Sequence, residues 1–281
     1  LVSWRDWLHD AARQLGAAGI EDASAEGRFL FTGVLGLSRS QVIADPDRKL
    51  DEASLAAVNK ALERRVSRVP LSQILGATPF WTLELLVTPD VLSPRADTET
   101  IVEAALNDVD TARPVRILDI ATGSGAIALA LLTEMQSATA VATDISRAAL
   151  DIAAINAGRT GLSERIELVC TSWADGIAGR FDLVVSNPPY IASSIIETLE
   201  PEVRDHEPRL ALDGGPDGLA PYRHLFSEAR RLLAPGGTGV FEIGYDQREA
   251  VLRLAQEAGA RDADCVKDLG GRSRAIVFAF S

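Results

Sequence analysis

From residue 115 to residue 280, apolar runs of strand length alternate with runs of helical period, and this alternation constrains the fold more than any other feature. Strand-like segments fall at 115–120, 140–143, 165–169, 181–186, 239–243 and 275–280. Helix-like segments fall at 126–135, 148–157, 222–233 and 248–258. Such alternation favours a doubly wound, mostly parallel α/β sheet covered by helices on both faces. Ligands of such sheets bind beyond the C-terminal ends of the strands, near the point where strand order reverses. Chemistry is therefore expected from the residues that follow the strands.

The preceding residues follow a different pattern. Within 3–18, Trp4, Trp7, Leu8, Ala11, Ala12 and Leu15 recur at spacings of three and four and mark one apolar helical stripe. Segments 24–35 and 52–66 repeat the pattern, while 79–91 turns to an extended period around Phe80, Trp81, Leu83 and Leu85. The expected organisation is a helical domain over 1–76, a strand or hairpin linker over 77–92, and an α/β domain over 93–281. Arg64, Arg65 and Arg68 form a basic patch, expected to be a solvated helix end, with a partner contact as the sharper alternative.

Charge narrows the function. The net charge is −12, and residues 91–281 carry 18 Lys+Arg against 28 Asp+Glu. An acidic domain suits a cationic cofactor or a basic partner better than a polyanion, so direct nucleic-acid binding is not expected. Two cysteines, Cys170 and Cys265, lie far apart and are each expected to fill a small apolar site. Neither a disulfide framework nor a metal site is expected, and a reducing cytoplasm is the natural setting. No signal-peptide pattern opens the chain and no uncharged apolar run reaches about 18 residues, so no membrane partner is expected. A first residue of Leu1 leaves the true start open.

The first strand of the alternation ends in Asp119-Ile120-Ala121-Thr122-Gly123-Ser124-Gly125, after which a helix begins. Small residues there let backbone approach a ligand closely, and the helix N-terminus offers free N–H groups. Asp144 ends the next strand, where a carboxylate binds the two ribose hydroxyls of an adenosine ligand. Gly123-x-Gly125-x-x-Ala128 also satisfies a dinucleotide fingerprint. Asp119 tilts the choice, because an acid there repels a pyrophosphate and suits the ammonium and sulfonium of S-adenosylmethionine. Trp173, just after the third strand, is a candidate wall for the adenine ring.

The fourth strand runs into Asn187-Pro188-Pro189-Tyr190. Two prolines fix φ and remove two backbone donors, so the turn presents rigid acceptors. A primary amide or exocyclic amine has two N–H donors and a lone pair delocalised into a π system. Acceptance of both hydrogens, by the Asn187 side-chain oxygen and the Pro188 carbonyl, fixes that nitrogen and favours loss of planarity. The lone pair then points at the donor methyl. The Tyr190 ring is expected to pack on the flat face of the target group. His206-Glu207-Pro208 lacks further ligands at metal-binding spacing, and His9 and His224 are expected at the surface.

Together these motifs resemble the bacterial glutamine N(5)-methyltransferases of peptide chain release factors, the HemK/PrmC family. The similarity runs over nearly the full length and includes Pro70-Leu71-Ser72-Gln73-Ile74-Leu75-Gly76, Pro94-Arg95-Ala96-Asp97-Thr98-Glu99, the Asn-Pro-Pro-Tyr turn, Glu207-Pro208-Arg209-Leu210-Ala211-Leu212 and Glu242-Ile243-Gly244. The resemblance implies a Rossmann-like, seven-stranded class I methyltransferase domain after a five-helix N-terminal bundle that helps grip the release factor. It implies S-adenosylmethionine contacts at Ala121, Thr122, Gly123, Ser124, Gly125, Asp144, Trp173 and Asn187, with Asn187 and Pro188 catalytic. The substrate, held by Asn187, Pro188, Pro189 and Tyr190, would be the glutamine of the Gly-Gly-Gln loop in class 1 release factors. Two departures stand out: Ala121 replaces the family's usual Gly, with slight crowding expected at the cofactor's methionine end, and Ala96 replaces a Pro. Competing readings are an adenine-N6 methyltransferase acting on nucleic acid, and an NAD(P)-binding oxidoreductase or inactive binding module.

Overall fold

A computed structural model describes residues 2–280. The chain divides into two compact units: one runs to Ala77 and also takes in Glu200–His206, and the other holds Thr78–Leu199 and the chain from Glu207 onward.

The first unit contains α1 (Trp4–Ala17), α2 (Ala23–Leu35), α3 (Arg39–Ala44), α4 (Glu52–Val66) and α5 (Leu71–Leu75). Ser3 caps α1 by accepting from the Asp6 N–H, Ser38 and Gln41 form a capping box on α3, and Asp51 caps α4. The α1 stripe buries Trp4, Trp7, Ala11 and Leu15, and both tryptophans pack on Phe31 of α2. The Trp7 indole N–H donates to Asn59 at 2.8 Å, which satisfies its polar edge inside the core.

Of the basic patch, Arg64 is exposed as expected, but Arg65 and Arg68 are not free in solvent. Arg65 is buried and pairs with Glu26, and with Glu202 at 2.8 Å, while Arg68 pairs with Glu200 and Glu202 at 2.8 and 2.6 Å. Glu202 lies in a short helix, Pro201–His206, that reaches this unit from more than 130 residues along the chain. No local pattern announces that partner. The Gln73 side chain donates to the His206 carbonyl of the same segment at 2.9 Å.

The second unit begins with a hairpin of β1 (Ala77–Phe80) and β2 (Leu83–Leu86), whose Phe80 and Leu85 are buried in this unit's core, beyond the role of a linker. There follow α6 (Glu99–Asp108), β3 (Arg116–Ile120), α7 (Ala126–Glu134), β4 (Thr139–Asp144), α8 (Arg147–Arg159), β5 (Ile166–Cys170) and β6 (Phe181–Ser186). After the Pro201–His206 segment, here α9, come α10 (Ala220–Leu232), β7 (Leu233–Glu242), α11 (Arg248–Glu257), β8 (Arg261–Lys267) and β9 (Ser273–Ala279). Seven strands form one sheet in the order β5-β4-β3-β6-β7-β9-β8, with β9 antiparallel to both neighbours and the other pairings parallel. Helix α7 is apolar all round, burying every residue from Ala126 to Leu132, as its place against the sheet requires.

Strand β8 is absent from the alternating pattern because its sequence, Arg-Asp-Ala-Asp-Cys-Val-Lys, is polar. It lies at the sheet edge, where charge discourages edge-to-edge pairing. Cys170, at the end of edge strand β5, is exposed, and Cys265 is only half-buried, so neither fills a sealed apolar site. Among the described residues, no helix is long and apolar enough to cross a membrane, and no group of His, Cys, Asp and Glu is placed to hold a metal ion.

Candidate active site

Register brings the motifs together. Ile120 of β3 lies level with Thr143 of β4 and Ser186 of β6, so Ala121, Asp144 and Asn187 leave three adjacent strands side by side. The order reverses between β3 and β6, the place where a parallel sheet opens a crevice. A cavity of about 620 Å³ lies there, in the range of small-molecule sites. Ala121, Thr122, Gly123, Ser124, Asp144, Trp173, Asn187 and Pro189 line it, whereas Gly125, Pro188 and Tyr190 do not.

The loop is held by nearby groups. Thr122 N–H donates to the Thr143 carbonyl at 2.9 Å, and Gly123 N–H donates to Asp144 Oδ2 at 2.9 Å. Asp144 Oδ1 accepts from the Ser146 N–H at 2.8 Å, so one carboxylate ties the loop to the start of α8. Burial pushes the Asp144 carboxyl up, against those N–H donors. Gly125 serves the loop from behind: its φ is +84°, and a Cβ there would stand 3.2 Å from Leu129 and 3.3 Å from Ala153. Ala121 takes the left-handed conformation too, with φ +59°, so its methyl costs backbone strain.

Asp119 plays a different part from the one expected. It is fully buried and absent from the cavity wall; its carboxylate accepts from the Thr122 hydroxyl at 2.6 Å and the Ala128 N–H at 3.3 Å. Burial raises it to about 7, and its Oδ1 is buried without a partner. Asp119 therefore shapes the loop from behind the cavity wall.

Trp173 has φ +51°, a strained value for a bulky residue. The buried Thr143 hydroxyl donates to its carbonyl at 2.6 Å and helps hold that conformation. Its ring stacks on His224, 6.1 Å between centroids and 14° between planes. His224 is exposed, as expected, and also shares a wall of the cavity.

The acceptor turn is held by remote side chains. Asn187 Nδ2 donates to the Thr98 hydroxyl at 3.2 Å, which in this amide assignment leaves Oδ1 as the free acceptor. Among the described residues, no backbone N–H donates to the Pro188 carbonyl. Tyr190 turns away from the cavity wall: its hydroxyl donates to Glu242 Oε1 at 3.1 Å, and its ring packs with the cluster around Tyr222 and Phe241. Gln247 Nε2 donates to the Tyr190 carbonyl at 2.9 Å, and Gln247 Oε1 accepts from the Gly244 N–H at 3.0 Å. A Cβ at Gly218 would stand 2.4 Å from that same carbonyl, so glycine is required by close approach. Arg95, which lines the cavity, pairs with the buried Glu207 at 2.8 Å, so Glu207 holds the Pro-Arg segment.

A seven-stranded, mostly parallel sheet with its cavity at the β3/β6 reversal defines the class I methyltransferase fold. The N-terminal domain of human METTL16 in complex with SAH is similar, at TM-score 0.50 and 14% identity over 84% of this chain and 85% of that one. Family models named PrmC N-terminal domain and Methyltransferase small domain match residues 6–76 and 94–200. The chain is 45% identical to the release factor glutamine methyltransferase of Caulobacter vibrioides, over 95% of this chain and 93% of that protein. It is 43% identical to the Agrobacterium fabrum protein of the same name, over 95% and 94%. The chain belongs to the release factor glutamine methyltransferase family.

Proposed function

We propose that this chain transfers the methyl group of S-adenosylmethionine to the side-chain nitrogen of the Gly-Gly-Gln glutamine in class 1 release factors, in the cytoplasm. The observation that carries this reading is the Asn187 amide, anchored through its nitrogen on Thr98, with its oxygen left as an acceptor beside the cavity.

The cavity suits the donor. Gly123 has open space where a Cβ would stand, Asp144 offers a carboxylate to ribose hydroxyls, and Trp173 offers a flat wall. When bound, the donor supplies an electrophilic methyl on sulfonium. Asn187 Oδ1 and the Pro188 carbonyl accept the two amide hydrogens, which orients the nitrogen lone pair and favours pyramidal nitrogen. No strong base is required before transfer, because the nitrogen becomes acidic once methylated. Pro189 shapes the wall beside the target, and Tyr190 supports the turn from behind. The helical unit of residues 1–76 is assigned to substrate recognition.

Mass spectrometry of a release factor incubated with the protein and S-adenosylmethionine is expected to find one added methyl on the Gly-Gly-Gln glutamine. A parallel reaction with DNA is expected to stay unlabelled; transfer to DNA alone would overturn the reading.

A further inference from the structure

Between β6 and α10 the chain leaves the sheet as a strap of residues 191–215, and the two ends of this strap are paired into a stem. The Ile191 N–H donates to the Leu212 carbonyl at 3.0 Å, the Gly214 N–H to the Ile191 carbonyl at 2.8 Å, and the Ser193 N–H to the Gly215 carbonyl at 2.9 Å. Asp213 reinforces the pairing, its Oδ1 accepting from the Ser193 hydroxyl at 2.6 Å and from the Gly215 N–H at 3.0 Å. The stem starts at the residue after Tyr190, and Ser193, Asp213, Gly214 and Gly215 line the cavity. It also packs tightly on the acceptor turn: a Cβ at Gly214 would stand 2.9 Å from the Pro189 carbonyl. A displaced stem therefore displaces the turn.

The far end of the strap is held elsewhere. Residues 200–206, which include α9, fold with the helical unit. A helix this short is not stable by itself, so its contacts set its place. Glu202 supplies the main ones, pairing with Arg65 at 2.8 Å and with Arg68 at 2.6 Å, and Gln73 donates to the His206 carbonyl at 2.9 Å. The Arg65 side chain is 6% exposed and that of Glu202 17%. Desolvation offsets most of the attraction in such a pair, so it contributes little net stability, while a shifted α9 would leave buried charge uncompensated. The pairing thus acts on register more than on stability. From α9 the chain returns at once to the site: Arg95 anchors Glu207, and Pro208, Leu210 and Ala211 line the cavity.

We infer that Glu202, clasped by Arg65 and Arg68, is a positioning residue for the acceptor half of the site. It fixes the tip of the strap on the helical unit, and thereby the stem that backs the Asn187-Pro188-Pro189-Tyr190 turn. This rests on the assignment of that turn to the substrate amide. The helical unit then has a second task besides substrate recognition, which is to hold the acceptor wall in place. The cofactor loop stands apart, since among the described residues 121–125 make no hydrogen bond to the strap.

Glu202→Gln in the full chain tests this. The variant leaves neither arginine without a carboxylate, because Arg65 keeps Glu26 and Arg68 keeps Glu200. Hydrogen exchange is followed first, without cofactor or release factor, at the amides of Ile191, Ser193 and Gly214. Their exchange should quicken at least about tenfold, with β3, β4, α1 and α2 unchanged. Stem amides at the wild-type rate overturn the inference. So does a rise spread equally through α1 to α4, which would mean that the ion pairs only stabilise the helical unit. This readout needs no methyl transfer, so it stands even if the protein methylates nothing.

Steady-state kinetics with release factor follow. At saturating S-adenosylmethionine and release factor, kcat should fall roughly tenfold, as expected for a slight misplacement of reacting groups. Cofactor Kd by calorimetry should stay within about twofold, and Glu202→Asp, which keeps the charge, should recover part of the lost turnover. A wild-type kcat, or a loss confined to cofactor Kd or to the KM for release factor, defeats the inference. Should Glu202→Gln fail to fold, Gln73→Ala, which releases the His206 carbonyl, carries both measurements.

Discussion

The loop of residues 121–125 and the turn of residues 187–190 leave neighbouring strands at one level of the sheet, yet they are held by different kinds of partner. The loop is fixed by groups close to it in the fold's own repeat: Asp119 on Thr122 and Ala128, Asp144 on Gly123, Thr143 on Thr122. The turn is fixed by side chains from distant segments: Thr98 lies 89 positions from Asn187, Glu242 52 from Tyr190 and Gln247 57 from Tyr190. On the proposed reading, the cofactor half is therefore carried by two consecutive strand-loop-helix units, β3 to α7 and β4 to α8, while the acceptor half is assembled from most of the second unit. Kinetics should separate the two halves: changes in the loop should weaken cofactor binding, and changes around the turn should lower turnover.

The sharpest break of that comparison is Asn187→Ala. It removes the free acceptor and is expected to lower kcat by roughly a hundredfold or more, about 2.7 kcal/mol in barrier. Cofactor affinity by calorimetry should change much less, and the melting temperature should be nearly kept. Near-normal turnover would mean that the substrate amide is held by another group.

Asp144→Ala probes the other half. The carboxylate accepts two backbone N–H groups and is proposed to accept from ribose as well. Loss of charged hydrogen bonds of about 1.5–3 kcal/mol should raise the cofactor KM roughly ten- to a hundredfold. kcat at saturation should fall only slightly. If kcat fell as far as in Asn187→Ala, the two halves would not be separable.

This contrast also explains what could be read in the sequence. Gly123, Gly125 and Asp144 are legible because strand, loop and helix are contiguous and each residue answers a local demand. The Asn-Pro-Pro-Tyr turn is legible because two prolines after a buried strand need a reason. Its supports are not, since nothing near Thr98, Glu242 or Gln247 in the chain says that they meet Asn187 and Tyr190. Tyr190 was expected against the substrate; its hydroxyl donates to the buried Glu242 carboxylate, a partner that nothing near Tyr190 in the chain announces. Arg65 and Arg68 were expected in water for the same reason, their carboxylate partners being Glu200 and Glu202. The run Gly214-Gly215-Pro216-Asp217-Gly218 does carry a local signal, a dense turn composition, and it marks the backbone that packs under Pro189 and Tyr190.

Gln247→Ala tests the remote support at smaller scale. Its amide joins the carbonyls of Tyr190 and Gly218 to the N–H of Gly244. Without it the turn keeps its prolines but loses one strut, and kcat should fall about three- to tenfold, some 0.7–1.4 kcal/mol in barrier. Cofactor KM should be unchanged. A change confined to cofactor KM would place Gln247 with the loop instead.

The smallest effect is expected where this chain departs from its resemblance, at Ala121. With φ at +59°, the residue pays the left-handed strain that a glycine avoids, and no Cβ contact is needed to explain the cost. Glycine there also has more freedom to lose on folding, which offsets part of the relief. Ala121→Gly should therefore stabilise the protein by about 0.5–1 kcal/mol, a rise of roughly 1–4 °C in melting temperature for a chain of this size. Because Ala121 lines the cavity, the same change should leave cofactor Kd equal or slightly lower, and kcat untouched. A loss of stability would show that packing of the Ala121 methyl outweighs the backbone strain, and a loss of turnover would show that the loop and the turn are coupled after all.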